Sequence, residues 1–88
     1  MMDSHRLEKM RQLLSEQYDW PTQYCFKFVV PRARVDEVRA LFPGQTITTR
    51  ESSGGKYVSL TIDLEMESPD HVIAVYEQAA SIEGIFSL

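Results

Sequence analysis

Apolar and polar residues alternate without interruption over residues 56–67, and this pattern constrains the fold more than any other feature of the chain. Successive side chains of a β-strand point to opposite faces, so such a strand has one apolar side and one polar side. The apolar set is Val58, Leu60, Ile62, Leu64 and Met66, and the polar set is Tyr57, Ser59, Thr61, Asp63, Glu65 and Glu67. The pattern therefore predicts one long strand in a sheet that is covered on one face only.

The other segments predict three further strands and two helices. Strands are predicted over 24–30, 45–52 and 83–88, and helices over 33–42 and from residue 69 onward. Ser68 can cap the second helix, with Pro69 at its first position, where a missing N–H costs nothing. Ser53-Gly54-Gly55 supplies a hairpin turn between the second and third strands.

The predicted order of elements is β-α-β-β-α-β, which specifies a known topology. Right-handed crossovers place both helices on the same face of an antiparallel sheet. We therefore expect an α+β fold, a ferredoxin-like βαββαβ sandwich with a four-stranded antiparallel sheet and two helices on one face. Residues 19–88 form the ferredoxin-like domain in this prediction, and residues 1–18 form an N-terminal helical extension.

The N-terminal extension carries a narrow apolar stripe. Its members recur at helical spacing behind a cap at Asp3 or Ser4. They are Leu7, Met10, Leu13 and Leu14. Three outcomes are compatible with this stripe: it docks on the domain, pairs with another chain, or frays.

The composition excludes several classes of function. Nine Lys and Arg against 13 Asp and Glu give a net charge of −4, with no basic run, so we expect no nucleic-acid partner. No apolar run approaches the roughly 20 residues that cross a bilayer, so we expect no membrane partner. A single cysteine, Cys25, and no recognisable signal peptide favour a cytoplasmic location.

Several short segments resemble a known family. Leu13-Leu14, Trp20-Pro21-Thr22, Tyr24-Cys25-Phe26-Lys27-Phe28 and the segment 52–60 look like the YbeD-like family of small uncharacterised bacterial proteins, and the similarity runs over about residues 13–88. The resemblance implies a ferredoxin-like domain similar in shape to ACT regulatory domains, which bind amino acids at dimer interfaces. It implies no activity and transfers no functional residue, because none is established for the family, and the shared positions are turn and core residues.

Arg32 and Arg34 are the candidate binding residues. They flank the start of the helix predicted over 33–42, where unpaired N–H groups and two guanidinium groups could hold a carboxylate or a phosphate. Two solvated arginines are the simpler interpretation. Amino-acid binding of the ACT type is disfavoured, because the loop has no glycine and Pro31 lacks an N–H donor.

No group of residues predicts catalysis, a metal site or a cofactor. The chain has no asparagine of the kind that positions water in ferredoxin-like enzymes acting on acyl phosphates. His5, His71 and Cys25 are far apart in the sequence, so we expect no metal. We expect a non-catalytic regulatory or protein-interaction module, which binds an unidentified protein or forms a homodimer. The alternative is an ACT-like domain that senses a carboxylate or phosphate at Arg32 and Arg34.

Overall fold

The computed structural model describes residues 4–87, which form three α-helices and four β-strands. The helices are α1 (Ser4–Gln17), α2 (Val35–Leu41) and α3 (Pro69–Ala79), and a 3-10 turn, Arg32–Arg34, precedes α2. The strands are β1 (Thr22–Pro31), β2 (Thr48–Glu51), β3 (Tyr57–Met66) and β4 (Phe86–Ser87). They form one antiparallel sheet in the order β2-β3-β1-β4, which confirms the ferredoxin-like arrangement.

The pairing of β1 with β3 forms the centre of the sheet. It runs from Thr22 opposite Met66 to Pro31 opposite Tyr57, so the alternation predicted for the long strand is confirmed. The inward side chains of the two strands are buried, and each such burial stabilises the fold by about 1.5–3 kcal/mol. They are Phe26, Phe28, Val30, Val58, Leu60, Ile62 and Met66. The outward side chains of the two strands lie on the opposite face of the sheet, which is named here the open face.

The helix α3 begins and packs as its sequence predicts. The side chain of Ser68 accepts a hydrogen bond from the N–H of His71 at 3.2 Å, and Pro69 occupies the first turn. The apolar side of α3 is buried against the sheet through Val72, Ile73, Tyr76 and Ala79.

The helix α1 docks on the domain, which decides among the three outcomes left open for its stripe. Leu14 is 6% exposed and belongs to the core, whereas Leu13 is 47% exposed. The indole N–H of Trp20 donates to the carbonyl of Leu14 at 3.1 Å, and Arg11 pairs with Asp70 at the start of α3. The predicted cap at Asp3 lies outside the described residues.

The two edge strands are shorter than predicted. The second strand, predicted over 45–52, is only β2, because the N–H of Gln45 donates to the carbonyl of Phe42 in a turn. The fourth strand is predicted over 83–88, but among the described residues only β4 is a strand. A turn from Ile82 to Ile85, with Gly84 at φ +79°, precedes it, and residue 88 lies outside the described residues.

Candidate functional site

The guanidinium group of Arg32 holds the hairpin between β2 and β3. Its Nε donates to the carbonyl of Gly55 at 2.7 Å, and its Nη2 lies 2.6 Å from Oε1 of Glu51. Both partners come from the hairpin, some twenty residues further along the chain. An exposed pair of this kind contributes about 0–1 kcal/mol, so Arg32 has a modest structural role in the described structure.

Arg34 has carboxylate partners of its own. Its Nη1 donates to Glu37 at 2.9 Å, and its Nη2 donates to Glu83 at 3.1 Å. The hydrogen bond to Glu37 and the charges of Glu37 and Glu83 raise the pKa of the Arg34 guanidinium. The two predicted site residues therefore contact different carboxylates.

A shallow hollow of about 210 Å³ lies beside Arg32, and Arg34 does not line it. The second cation at this hollow is Arg39, and Glu51 also lines it. Sequence reasoning missed Arg39. Arg39 lies in the last turn of α2 and Arg32 in the preceding 3-10 turn, so no single helical spacing in the sequence joins them.

The partly buried hydroxyls of Tyr24 and Tyr76 are poor candidates for chemistry. The hydroxyls of Tyr24 and Tyr76 lie 3.2 Å apart, and burial raises the pKa of Tyr76 well above its usual range. Its phenol therefore stays neutral. On the open face, partial burial and a hydrogen bond to Asp63 raise the pKa of the Cys25 thiol, which makes it less nucleophilic at neutral pH.

Two kinds of feature are absent from residues 4–87. No group of three or more His, Cys, Asp and Glu side chains in this part of the chain could hold a metal ion. None of the helices described above combines the length and the apolar character that a membrane span needs.

The open face of the sheet carries an apolar cluster at one end, formed by Val29, Tyr57 and Phe86. Phe86 lies directly opposite Val29 in the pairing of β1 with β4, and Tyr57 lies one diagonal step away on β3. Phe86 and Tyr57 are 60% and 43% exposed as whole residues. Large exposed apolar side chains that stand together on one face commonly mark an interaction surface.

A hollow of about 240 Å³ lies next to this cluster and is named here the open-face hollow. Its lining is Val29, Arg50, Glu51, Ser52, Tyr57 and Ser59. Phe86 stands on the other side of Val29, outside the hollow. Phe86 is not among the residues predicted from the sequence, although alternation after Gly84 places it on the face opposite to Ile85.

Comparison with known proteins gives a consistent set of matches. The family model described as "Protein of unknown function (DUF493)" matches residues 15–87. A UPF0250 protein of Shewanella putrefaciens strain CN-32 is 38% identical over 77 residues, which cover 80% of this chain and 88% of that protein. UPF0250 proteins of Shewanella baltica strain OS155 and Shewanella amazonensis are each 35% identical, with 80% of this chain covered and 88% and 89% of theirs. No solved structure matches the chain.

Proposed function

This chain belongs to the family described as DUF493, proteins of unknown function, and we propose that it is a non-catalytic protein-interaction module that self-associates through the open face of its sheet. The relatives confirm its likeness to the YbeD-like small bacterial proteins. We also infer a cytoplasmic location, which the exposed free thiol of Cys25 supports, because such thiols persist in reducing compartments.

The observation that carries the proposal is the pairing of a projecting ring with a neighbouring hollow on the same face. Phe86 is the most exposed large apolar side chain among residues 4–87, and the open-face hollow lies one strand away. A surface that has both features can contact its own copy reciprocally. Phe86 of each copy then fills the hollow of the other about a twofold axis, which is the isologous contact of most homodimers.

Arg50 is the charged side chain that shares the open face with Ser59, because the carboxylate of Glu51 pairs with Arg32 on the opposite face of the sheet. Arg50 would lie beside the ring of the incoming Phe86, a contact worth about 0.5–1 kcal/mol. Burying a phenylalanine contributes about 1.5–3 kcal/mol, whereas association costs at least about 4 kcal/mol. Two buried rings and two such contacts, less the cost of association, leave at most about 4 kcal/mol, so we expect a weak dimer with a Kd of about 1 mM.

Sedimentation velocity over low micromolar to millimolar concentrations tests this function. The wild-type chain should sediment faster as its concentration rises, and Phe86→Ser should sediment as a monomer throughout. Leu13→Ser is the matched control, because Leu13 is similarly exposed but lies on α1, and it should behave like the wild type. A monomeric wild type, or an unchanged dimer in a folded Phe86→Ser variant, would refute the proposal.

Anion sensing at Arg32 and Arg34 has less support. An incoming carboxylate or phosphate would have to displace Glu51 from Arg32, or Glu37 and Glu83 from Arg34. If sensing nevertheless occurs, inorganic phosphate should raise the melting temperature of the wild-type chain. The Arg32→Ala, Arg34→Ala double variant should lose that rise.

A further inference from the structure

The strand β3 has a free edge over Ile62–Met66, named here the β3 edge. On its other side β3 pairs with β1 along its whole length. On this side β2 covers only Val58–Thr61, because β2 begins at Thr48, opposite Thr61. Within the described part of the chain, no strand pairs with the β3 edge. An unpaired edge is a template for another extended segment unless something protects it.

The main-chain groups that face outward at this edge belong to Asp63 and Glu65. The N–H of Ser52 donates to the carbonyl of Tyr57 at 2.9 Å, so the main-chain groups of Tyr57 point toward β2. The direction of the main-chain N–H and carbonyl groups alternates from residue to residue along a strand. These groups of every second residue from Tyr57 therefore point to the same side as those of Tyr57. The N–H and carbonyl groups of Asp63 and Glu65 are thus available to a strand laid against the β3 edge.

A groove of about 330 Å³, lined by both apolar and polar residues, lies along the helix face of the β3 edge. Leu41 at the end of α2, Leu64 on β3 and Val75 on α3 form its apolar lining, and all three are only partly buried. His71 and Gln78 of α3 also line it. Since side chains of an added strand alternate between the two faces, every second side chain would enter this groove, and an apolar one fits it.

The other face of the β3 edge is acidic. The side chains of Asp63 and Glu65 are exposed there, and neither carboxylate forms an ion pair with another described residue. The remaining side chains of an added strand would lie beside these two carboxylates. Lysine or arginine at those positions gives opposite-charge cross-strand pairs, which are favourable.

A second copy of this chain is a poor occupant of the β3 edge. Twofold antiparallel pairing centred on Leu64 would set Asp63 of one copy opposite Glu65 of the other, twice. Like charges directly opposite each other destabilise a pair of strands. The edge therefore selects a different chain.

We propose that the β3 edge binds an extended peptide segment of a partner protein in which basic residues alternate with apolar ones. The segment adds a fifth strand to the sheet, its apolar side chains occupy the groove at Leu64 and Val75, and its basic side chains pair with Asp63 and Glu65. This surface lies apart from the ring and hollow proposed for self-association, so it does not depend on the dimer.

The test is a titration of the ¹⁵N-labelled chain with a blocked peptide of alternating lysine and valine, followed by amide chemical shifts. We expect the largest shift changes at Asp63, Glu65 and Val75. The Asp63→Lys, Glu65→Lys double variant should bind this peptide more weakly by up to about 25-fold, because each of the two exposed ion pairs contributes up to about 1 kcal/mol, or about fivefold in affinity. The same variant should bind a peptide of alternating glutamate and valine more tightly than the wild type does.

The matched control is the Glu16→Lys, Asp19→Lys double variant, which changes the net charge equally at exposed positions away from the edge. It should bind the lysine peptide within about twofold of the wild type. A lysine peptide with N-methylated main-chain amides should fail to bind, because it cannot donate to the edge. Equal weakening in both double variants, tight binding of the N-methylated peptide, or no binding at millimolar peptide would each overturn the proposal. The Phe86→Ser variant should bind the peptide as the wild type does. A failure of peptide binding at the β3 edge is therefore distinguishable from a failure of self-association.

Discussion

Replacing Gly84 with alanine tests how β4 is held against β1. Gly84 has φ +79°, and a Cβ added there would lie 2.8 Å from Cγ and 3.1 Å from Cδ of Pro31. An alanine in this left-handed backbone conformation destabilises the folded state by about 1–2 kcal/mol. Alanine also lowers the conformational entropy of the unfolded chain, which offsets about 0.4–1 kcal/mol of that loss. Overpacking against the proline ring adds about 1–3 kcal/mol. We therefore expect Gly84→Ala to lower the free energy of unfolding by about 1–4.5 kcal/mol.

Gly44→Ala is the matched control for this prediction. Gly44 has φ +75°, but a Cβ there meets nothing within 4 Å, so only the backbone terms apply and the loss should be at most about 1.5 kcal/mol. Urea denaturation followed by the fluorescence of Trp20, the only tryptophan, gives both values. Equal losses in the two variants would refute the contact between Gly84 and Pro31. Gly84→Ala should also weaken self-association, because β4 carries Phe86, and Gly44→Ala should leave it unchanged.

Three further predictions concern the docked helix, the cap of α3 and the thiol. Leu14→Ala should lower the free energy of unfolding, measured by urea denaturation, by about 2–5 kcal/mol, because Leu14 is buried. Leu13→Ala should lower it by less than about 0.5 kcal/mol, and equal losses in the two variants would contradict the docking of α1. Ser68→Ala should lower the free energy of unfolding by about 1 kcal/mol, and an unchanged denaturation midpoint would argue against the cap. Burial and Asp63 raise the pKa of the Cys25 thiol, so Asp63→Asn should lower that pKa. The variant should react faster with iodoacetamide at a fixed pH, and the midpoint of the plot of alkylation rate against pH should move to lower pH. A midpoint that moves to higher pH would contradict this prediction.

The sequence predicts the long-range architecture because its strongest signals are local and repeated. The alternation from Tyr57 to Met66 and the Ser68-Pro69 start of α3 each specify an element without reference to the rest of the chain. The edge strands were predicted too long, since their ends depend on turns. The turn at Gly84 shortens the fourth strand, and propensity alone does not reveal where a turn closes.

The candidate site was harder to predict because its partners come from distant parts of the chain. Arg32 and Arg34 were identified from their position at a helix start, yet Glu51 and Glu83, which contact them, lie on the hairpin and near the C-terminus. The stretch of β3 left free by β2 depends on where β2 begins. The contact of Phe86 with Val29 follows from the register of β4, which only the assembled sheet defines.

Self-association through Phe86 is the central claim, and isotope-filtered NOE spectroscopy tests it most directly. A mixture of ¹³C-labelled and unlabelled chains at high concentration reports only contacts between different copies. Intermolecular NOEs are expected from the ring of Phe86 to the methyl groups of Val29 and the ring of Tyr57. Intermolecular NOEs confined to other surfaces, such as α1, or their absence from a sample that sediments as a dimer, would contradict it.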